Sequence, residues 1–177
     1  TCALPISDYE GQIFINEELI TGKSDKELAA IRNEKIGFVF QFHYLLNEFN
    51  VLQNVMLPGL KLEKYTAEEV EHRAMEKLNI LGIGHLALKK ANHISGGEKQ
   101  RVAIARALIN NPEVIFADEP TGNLDPETSE EIMKLLIDIS KQGRCIIFAT
   151  HDLLLYSKFP ARTLMCENNH IADSVKL

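Results

Sequence analysis

Apolar residues follow two patterns along this chain. Ile36-Gly37-Phe38-Val39-Phe40, Val114-Ile115-Phe116-Ala117 and Cys145-Ile146-Ile147-Phe148-Ala149 are short unbroken runs. That is the pattern of strands buried on both faces of a parallel sheet. Elsewhere the apolar positions recur at helical spacing: Val70, Ala74, Leu78 and Leu81, then Ile132, Leu135, Leu136 and Ile139. The second set falls at i, i+3, i+4 and i+7, one stripe of a helix. Thr66-x-x-Glu69 is a capping box ahead of the first stripe, and Gly82 closes it. Asp125 is a good N-cap with Pro126 at the first helical position, and Gly143 closes that helix. A further helix is predicted from Ser95-Gly96-Gly97 to about Asn110. Gln12-Ile13-Phe14-Ile15 reads as a short strand, residues 26–32 as a short helical piece, and the stretch after Gln41 as a helical region. Strand, helix and strand with short connections form a βαβ unit, so the expectation is an α/β fold on a parallel sheet.

Composition narrows this little. The chain has 177 residues, enough for one domain, with 45% hydrophobic and 25% charged residues. A net charge of −6 argues against a general nucleic-acid binder, which carries a basic face. No apolar run approaches the ~18 residues of a membrane span, so a membrane role would come through a partner. Cys2, Cys145 and Cys166 are scattered without metal-ligand spacing and read as free thiols of a reducing compartment.

The candidate chemistry sits at the ends of the apolar runs. The run at residues 114–117 leads into Asp118-Glu119. Two carboxylates at the C-terminal edge of a parallel strand lie where open α/β sheets bind ligands. One can hold Mg²⁺ and the next can polarise an attacking water. His151 follows the run at 145–149, and Gln41 follows the strand at 36–40. The first is placed for a γ-phosphate contact, and the amide of the second can join a Mg²⁺ shell. Ser95-Gly96-Gly97-Glu98 opens a helix. A serine and two glycines there present backbone N–H groups to a phosphate, and the helix dipole adds positive potential. Gly22-Lys23-Ser24 mimics the end of a phosphate-binding G-x-x-x-x-G-K-[ST] loop, but Glu17 stands where that motif needs glycine. A surface turn is the better reading.

Together these motifs resemble, in order, the nucleotide-binding domain of ABC ATPases. Phe38-Val39-Phe40-Gln41 resembles the Q-loop, Ile94-Ser95-Gly96-Gly97-Glu98-Lys99-Gln100-Arg101 the signature, residues 114–119 Walker B, Asn123-Leu124-Asp125 the D-loop and His151 the H-loop. Glu98 stands where many members carry Gln. The stretches at residues 40–46 and 54–58 resemble the lipoprotein-releasing ATPases, and 117–125 resembles a segment shared by that group with macrolide-export and cell-division ATPases. Lys158-Phe159-Pro160-Ala161-Arg162 looks more like the cell-division type.

The resemblance implies a P-loop NTPase-like parallel sheet with an inserted helical subdomain. Residues 8–41 and 107–177 would form the core, and 42–106 the subdomain carrying the signature. It implies ATP and Mg²⁺ as ligands, with Asp118 and Gln41 at the metal, Glu119 as general base and His151 at the γ-phosphate. Ser95, Gly96, Gly97, Glu98 and Asp125 would complete the nucleotide site across a head-to-tail homodimer. Transmembrane permease subunits would dock at the cytoplasmic face of a bacterial inner membrane. Phe42, His43, Tyr44 and Phe49 either form that docking surface or pack inside the subdomain. The function the resemblance implies is an ATP-hydrolysing motor subunit of a lipoprotein-release or export transporter, and the alternative is signalling in cell division through a membrane partner without transport. A DNA-maintenance ATPase would insert a long coiled coil after the Q-loop, whereas only residues 42–94 separate Gln41 from Ser95, with no sustained heptads.

Two expectations concern the start of the chain. Residues 1–7 resemble the read-through translation of a sequencing adapter, so native sequence is expected to begin near Asp8. The family's Walker A strand, loop and helix, on the order of 40 residues, are expected upstream and are not in this sequence. The chain as given is therefore expected to be inactive, and prone to aggregate through an uncovered sheet face and edge.

Overall fold

A computed structural model of the protein describes residues 11–167 and 170–174. The expectation for residues 1–7 lies outside the described residues.

The chain opens on a small hairpin, β1 (Phe14–Ile15) against β2 (Glu18–Leu19), turning through Asn16 and Glu17 at φ 44° and 66°. Two successive left-handed residues are what a two-residue hairpin turn requires. The strand expected at residues 12–15 is thus half its length and stands outside the main sheet. Ser24 then caps α1 (Asp25–Lys35): its Oγ accepts the Glu27 N–H, and the Glu27 carboxylate accepts the Ser24 N–H at 2.9 Å. The short piece expected at 26–32 is therefore an eleven-residue helix, and Gly22-Lys23-Ser24 is its lead-in turn.

The main sheet has three strands in the order β3 (Ile36–Phe40), β4 (Val114–Asp118), β5 (Cys145–Ala149), all parallel. Between β3 and β4 lie α2 (Val51–Leu62), α3 (Ala67–Ile80) and α4 (Gly96–Leu108). α5 (Pro126–Lys141) links β4 to β5, completing the predicted βαβ unit. α6 (Leu153–Lys158) and the antiparallel pair β6 (Thr163–Glu167) and β7 (His170–Ser174) follow, and the sequence pattern did not predict them. No helix among the described residues is long and apolar enough to cross a membrane.

The helices between β3 and β4 share a dry core of Val51, Val55, Ala74, Leu78, Val102 and Ile104, each at 0% exposure. That cluster runs on under one face of the sheet, through Val39, Ile115 and Ala117, to Ile132 and Leu136 of α5. The opposite face is less covered. Ile20, Ile31 and Ile36 form a second cluster with Phe38 and Phe116 over the β3 side. On β5, Cys145, Ile147 and Ala149 stay exposed, Ile147 by 50%. The runs have the pattern of strands buried on both faces, and the uncovered sheet face expected for this chain is seen at β5: α4 and α5 cover one face, while the hairpin and α1 reach only part of the other.

Candidate functional site

The register of the sheet builds the site. Phe40, Asp118 and Ala149 stand abreast at the C-terminal ends of β3, β4 and β5. The next residues, Gln41, Glu119 and Thr150, leave the sheet at one edge, with His151 one step further. Parallel pairing of three apolar runs thus gathers side chains from three strand ends that are 31 to 110 positions apart in sequence.

Glu119 is the most constrained of them. Its φ is 45°, in the left-handed region that a non-glycine residue enters only where its surroundings compel it. Its N–H donates to Ala149 O at 3.0 Å and its carbonyl accepts the Gly122 N–H at 3.0 Å. These bonds hold the backbone in that conformation. The carboxylate is turned toward β5, where Oε1 accepts the His151 backbone N–H at 3.0 Å and lies 2.5 Å from His151 Nδ1. The Thr150 hydroxyl adds a long contact to Oε2 at 3.4 Å. Glu119 is only 20% exposed in its side chain, against 86% for His151. The hydrogen bond to Glu119 and its charge raise the His151 pKa above its ordinary value, with Asp152 adding a smaller push. The imidazolium–carboxylate contact is complete below the ordinary imidazole pKa and fades as pH rises through the raised one.

Asp118 ends β4 with an exposed side chain. Gln41 lies beside it, its amide laid over Gly122. A Cβ at residue 122 would come within 2.7 Å of Gln41 Nε2, so a larger residue there would push the amide aside. Asn123 Nδ2 donates to Gln41 O at 3.3 Å. Among the described residues no group of three His, Cys, Asp or Glu side chains could cage a metal ion. The exposed carboxylate of Asp118 and the half-buried amide of Gln41 would suit Mg²⁺ better, since that ion keeps its waters and shares one or two protein ligands with phosphates.

A second cluster forms at the start of α4. Ser95 caps that helix, accepting the Glu98 N–H at 3.3 Å, and the Glu98 carboxylate accepts the Ser95 N–H at 2.6 Å. That backbone bond holds the Glu98 carboxyl below its usual pKa. A Cβ on Gly97 would lie 2.6 Å from Thr128 Cγ2, and one on Gly96 would lie 3.5 Å from Leu124. The turn is therefore packed on the N-terminal end of α5. There Asp125 accepts both the Thr128 N–H, at 2.9 Å, and its hydroxyl, at 2.6 Å. The Thr128 bonds keep the Asp125 carboxyl below its usual pKa.

The expected site residues thus fall into two groups. Gln41, Asp118, Glu119 and His151 meet at the strand ends. Ser95, Gly96, Gly97, Glu98 and Asp125 meet at two adjoining helix starts. Among the described residues no hydrogen bond or ion pair joins Ser95 or Glu98 to Glu119. Sequence reasoning missed Gly122 and Thr150. Only their places, just past Glu119 and just before His151, could have signalled them.

Comparison with known proteins follows the same lines. The ABC transporter family profile matches residues 3–122. The lipoprotein-releasing system ATP-binding protein LolD of Aquifex aeolicus is 41% identical over 166 residues, covering 94% of this chain and 73% of that protein. LolD of Bacteroides fragilis is 46% identical over 162 residues, covering 91% of this chain and 74% of that protein. Among solved structures, the dimeric bacterial ABC transporter cassette MJ0796 superposes with a TM-score of 0.72 at 42% identity, over 82% of this chain and 65% of that one. The same cassette in a post-hydrolysis state bound to ADP and Pi gives a TM-score of 0.72 at 41% identity, again over 82% of this chain and 65% of that one. The chain thus spans about three quarters of these curated relatives and just under two thirds of the solved cassette.

Proposed function

The chain belongs to the ABC transporter family of ATP-binding proteins, and on that premise we propose that its full-length protein is the ATP-hydrolysing motor subunit of a bacterial lipoprotein-releasing transporter. The observation that carries this reading is the register of β3, β4 and β5, which sets Gln41, Asp118-Glu119 and His151 along one sheet edge. Sequence identity of 41% and 46% to two LolD proteins favours lipoprotein release over cell-division signalling.

In this reading Glu119 is the general base. Its carboxylate accepts a proton from a water whose oxygen attacks the γ-phosphorus, while the bond from that phosphorus to the β-phosphate oxygen breaks to release ADP and phosphate. The restricted exposure and fixed backbone of Glu119 aim one carboxylate at one place. His151 first leaves Glu119, giving up the contact that raises its pKa, and then turns its ring to the γ-phosphate, whose negative charge favours the protonated imidazole in the same way. Asp118 and Gln41 would hold Mg²⁺, which when bound would neutralise phosphate charge. Gln41 is well placed to register the state of the site, because its main-chain carbonyl accepts from Asn123 and its amide packs over Gly122.

Ser95, Gly96 and Gly97 supply a phosphate clamp to a second copy of the chain in a head-to-tail homodimer, with Asp125 fixing the adjoining loop. Phe42, Tyr44 and Leu46, exposed by 62%, 66% and 45%, offer an apolar surface to permease subunits at the cytoplasmic face of the inner membrane. The test is Glu119→Gln in the full-length protein. The expected result is ATP binding retained with hydrolysis lost; retained hydrolysis would remove Glu119 from the role of base.

A further inference from the structure

Arg106 has no place in the chemistry above, yet it is one of the most committed side chains outside it. It sits in the last turn of α4, and both ends of its guanidinium are used. Nη1 donates to Tyr44 O at 2.8 Å and Nη2 to His43 O at 2.7 Å. Among the described residues it makes no ion pair, and burial pushes its pKa down. A half-buried cation whose direct partners are two main-chain carbonyls fixes the positions of those carbonyls through charge-assisted hydrogen bonds. The carbonyls it grips belong to the loop directly behind Gln41. Tyr44 adopts φ 46°, a strained backbone for a non-glycine residue, and its ring packs edge-on against Phe40 at the end of β3. Two further side chains fasten the same stretch. The fully buried Asn54 of α2 accepts the Leu46 N–H at 2.8 Å and donates to Leu46 O at 3.0 Å. Asn123 holds Gln41 O from the sheet side. α4 therefore carries Ser95-Gly96-Gly97 at its start and the grip on the Gln41 loop at its end.

We propose that Arg106 is a positioning residue for the ATPase reaction: it locks the main chain of residues 43–44 to the last turn of α4, so that one rigid helix sets both the Gln41 loop and the turn at Ser95-Gly96-Gly97. The planar fork of arginine is suited to this, since it reaches two successive carbonyls at once, and the point charge of lysine matches it only in part. The idea rests on the function proposed above, because it supposes that Gln41 and the Ser95 turn serve the same reaction.

The test uses the full-length protein with Arg106→Met, which keeps the apolar stem, and Arg106→Lys. Hydrogen exchange without nucleotide reads the loop through the amides of Leu46 and Phe49, both hydrogen-bonded here. Steady-state hydrolysis reads the coupling. In Arg106→Met the two loop amides should exchange about tenfold faster while amides inside α3 and α5 are unchanged. The kcat should fall about tenfold with KM for ATP within about twofold, and Arg106→Lys should recover part of the loss. Unchanged loop exchange, exchange raised everywhere alike, or an unaltered kcat would each overturn the proposal. If the wild-type protein does not hydrolyse ATP, the proposed function fails instead, and the exchange pattern still decides whether Arg106 locks the loop. Should Arg106→Met fail to fold, loop exchange in Arg106→Lys decides the same point, with wild-type exchange there counting against the lock.

Discussion

The strand-end cluster and the turn that opens α4 carry the two halves of one proposed site, and they are built in opposite ways. The first is assembled from three strands far apart in sequence, and its geometry is held by their register. It contains a strained residue, Glu119, whose carboxylate is already taken up by His151. The second is contiguous, residues 95–98, with ordinary cap angles at Ser95 of φ −66° and ψ 168°. Its constraint comes from outside, where Gly97 lies against Thr128. Chemistry that needs one carboxylate aimed at one water is placed where tertiary packing fixes it. Binding that needs only N–H groups and a helix dipole is placed on a local motif. The strand ends should therefore respond to changes of charge in kcat, and the turn to changes of shape in stability and binding.

The largest effect should follow from Glu119→Gln, which keeps the size of the side chain and removes the base. Hydrolysis should fall by roughly a hundred- to ten-thousand-fold, with ATP binding retained in a filter-binding assay. A loss of binding that matches the loss of turnover would erase the contrast between the two halves. Next, Gly97→Ala should cost about 1–3 kcal/mol in urea unfolding, because the new methyl meets Thr128 and cannot relax cheaply. Adding Thr128→Ala to it should cost less than the two single changes summed; simple additivity would show that the contact does not constrain the turn. The smallest effect concerns His151. Its NMR titration in the nucleotide-free protein should have a midpoint above the ordinary imidazole value of about 6.5, and Glu119→Gln should bring the midpoint down. An unshifted midpoint would mean that the two side chains do not meet in solution.

The local form of the contiguous half was legible in the sequence, because a serine, two glycines and a glutamate at capping spacing describe their own geometry, but its packing against Thr128 was not. The strand ends were legible as to membership. Each of Gln41, Asp118-Glu119 and His151 follows an apolar run, and parallel runs end together. Their mutual contacts were not legible. Nothing in residues 114–120 announces that Glu119 takes a left-handed backbone, since that depends on hydrogen bonds to Ala149 and Gly122 across the sheet edge. The grip of Arg106 on residues 43 and 44 was invisible for the same reason: its partners are carbonyls 62 and 63 positions away, and carbonyls carry no sequence signal. In β5 an unbroken apolar run marks a strand suited to cover on both faces, and the half-exposed Ile147 lies on the face expected to be left uncovered in this chain.

The central claim is that the strand-end cluster of one copy works with the Ser95 turn of another. Mixed dimers of the full-length protein test it, using Glu119→Gln to disable the first half and Ser95→Arg to disable the second. With the two changes on different subunits, one site pairs an intact strand-end cluster with an intact turn, and roughly half of wild-type turnover should survive. With both changes on one subunit and none on its partner, each site has one disabled half, and turnover should vanish. The reverse pattern, activity when both changes share a subunit and none when they are split, would show that the two halves act within a single chain and would contradict the account.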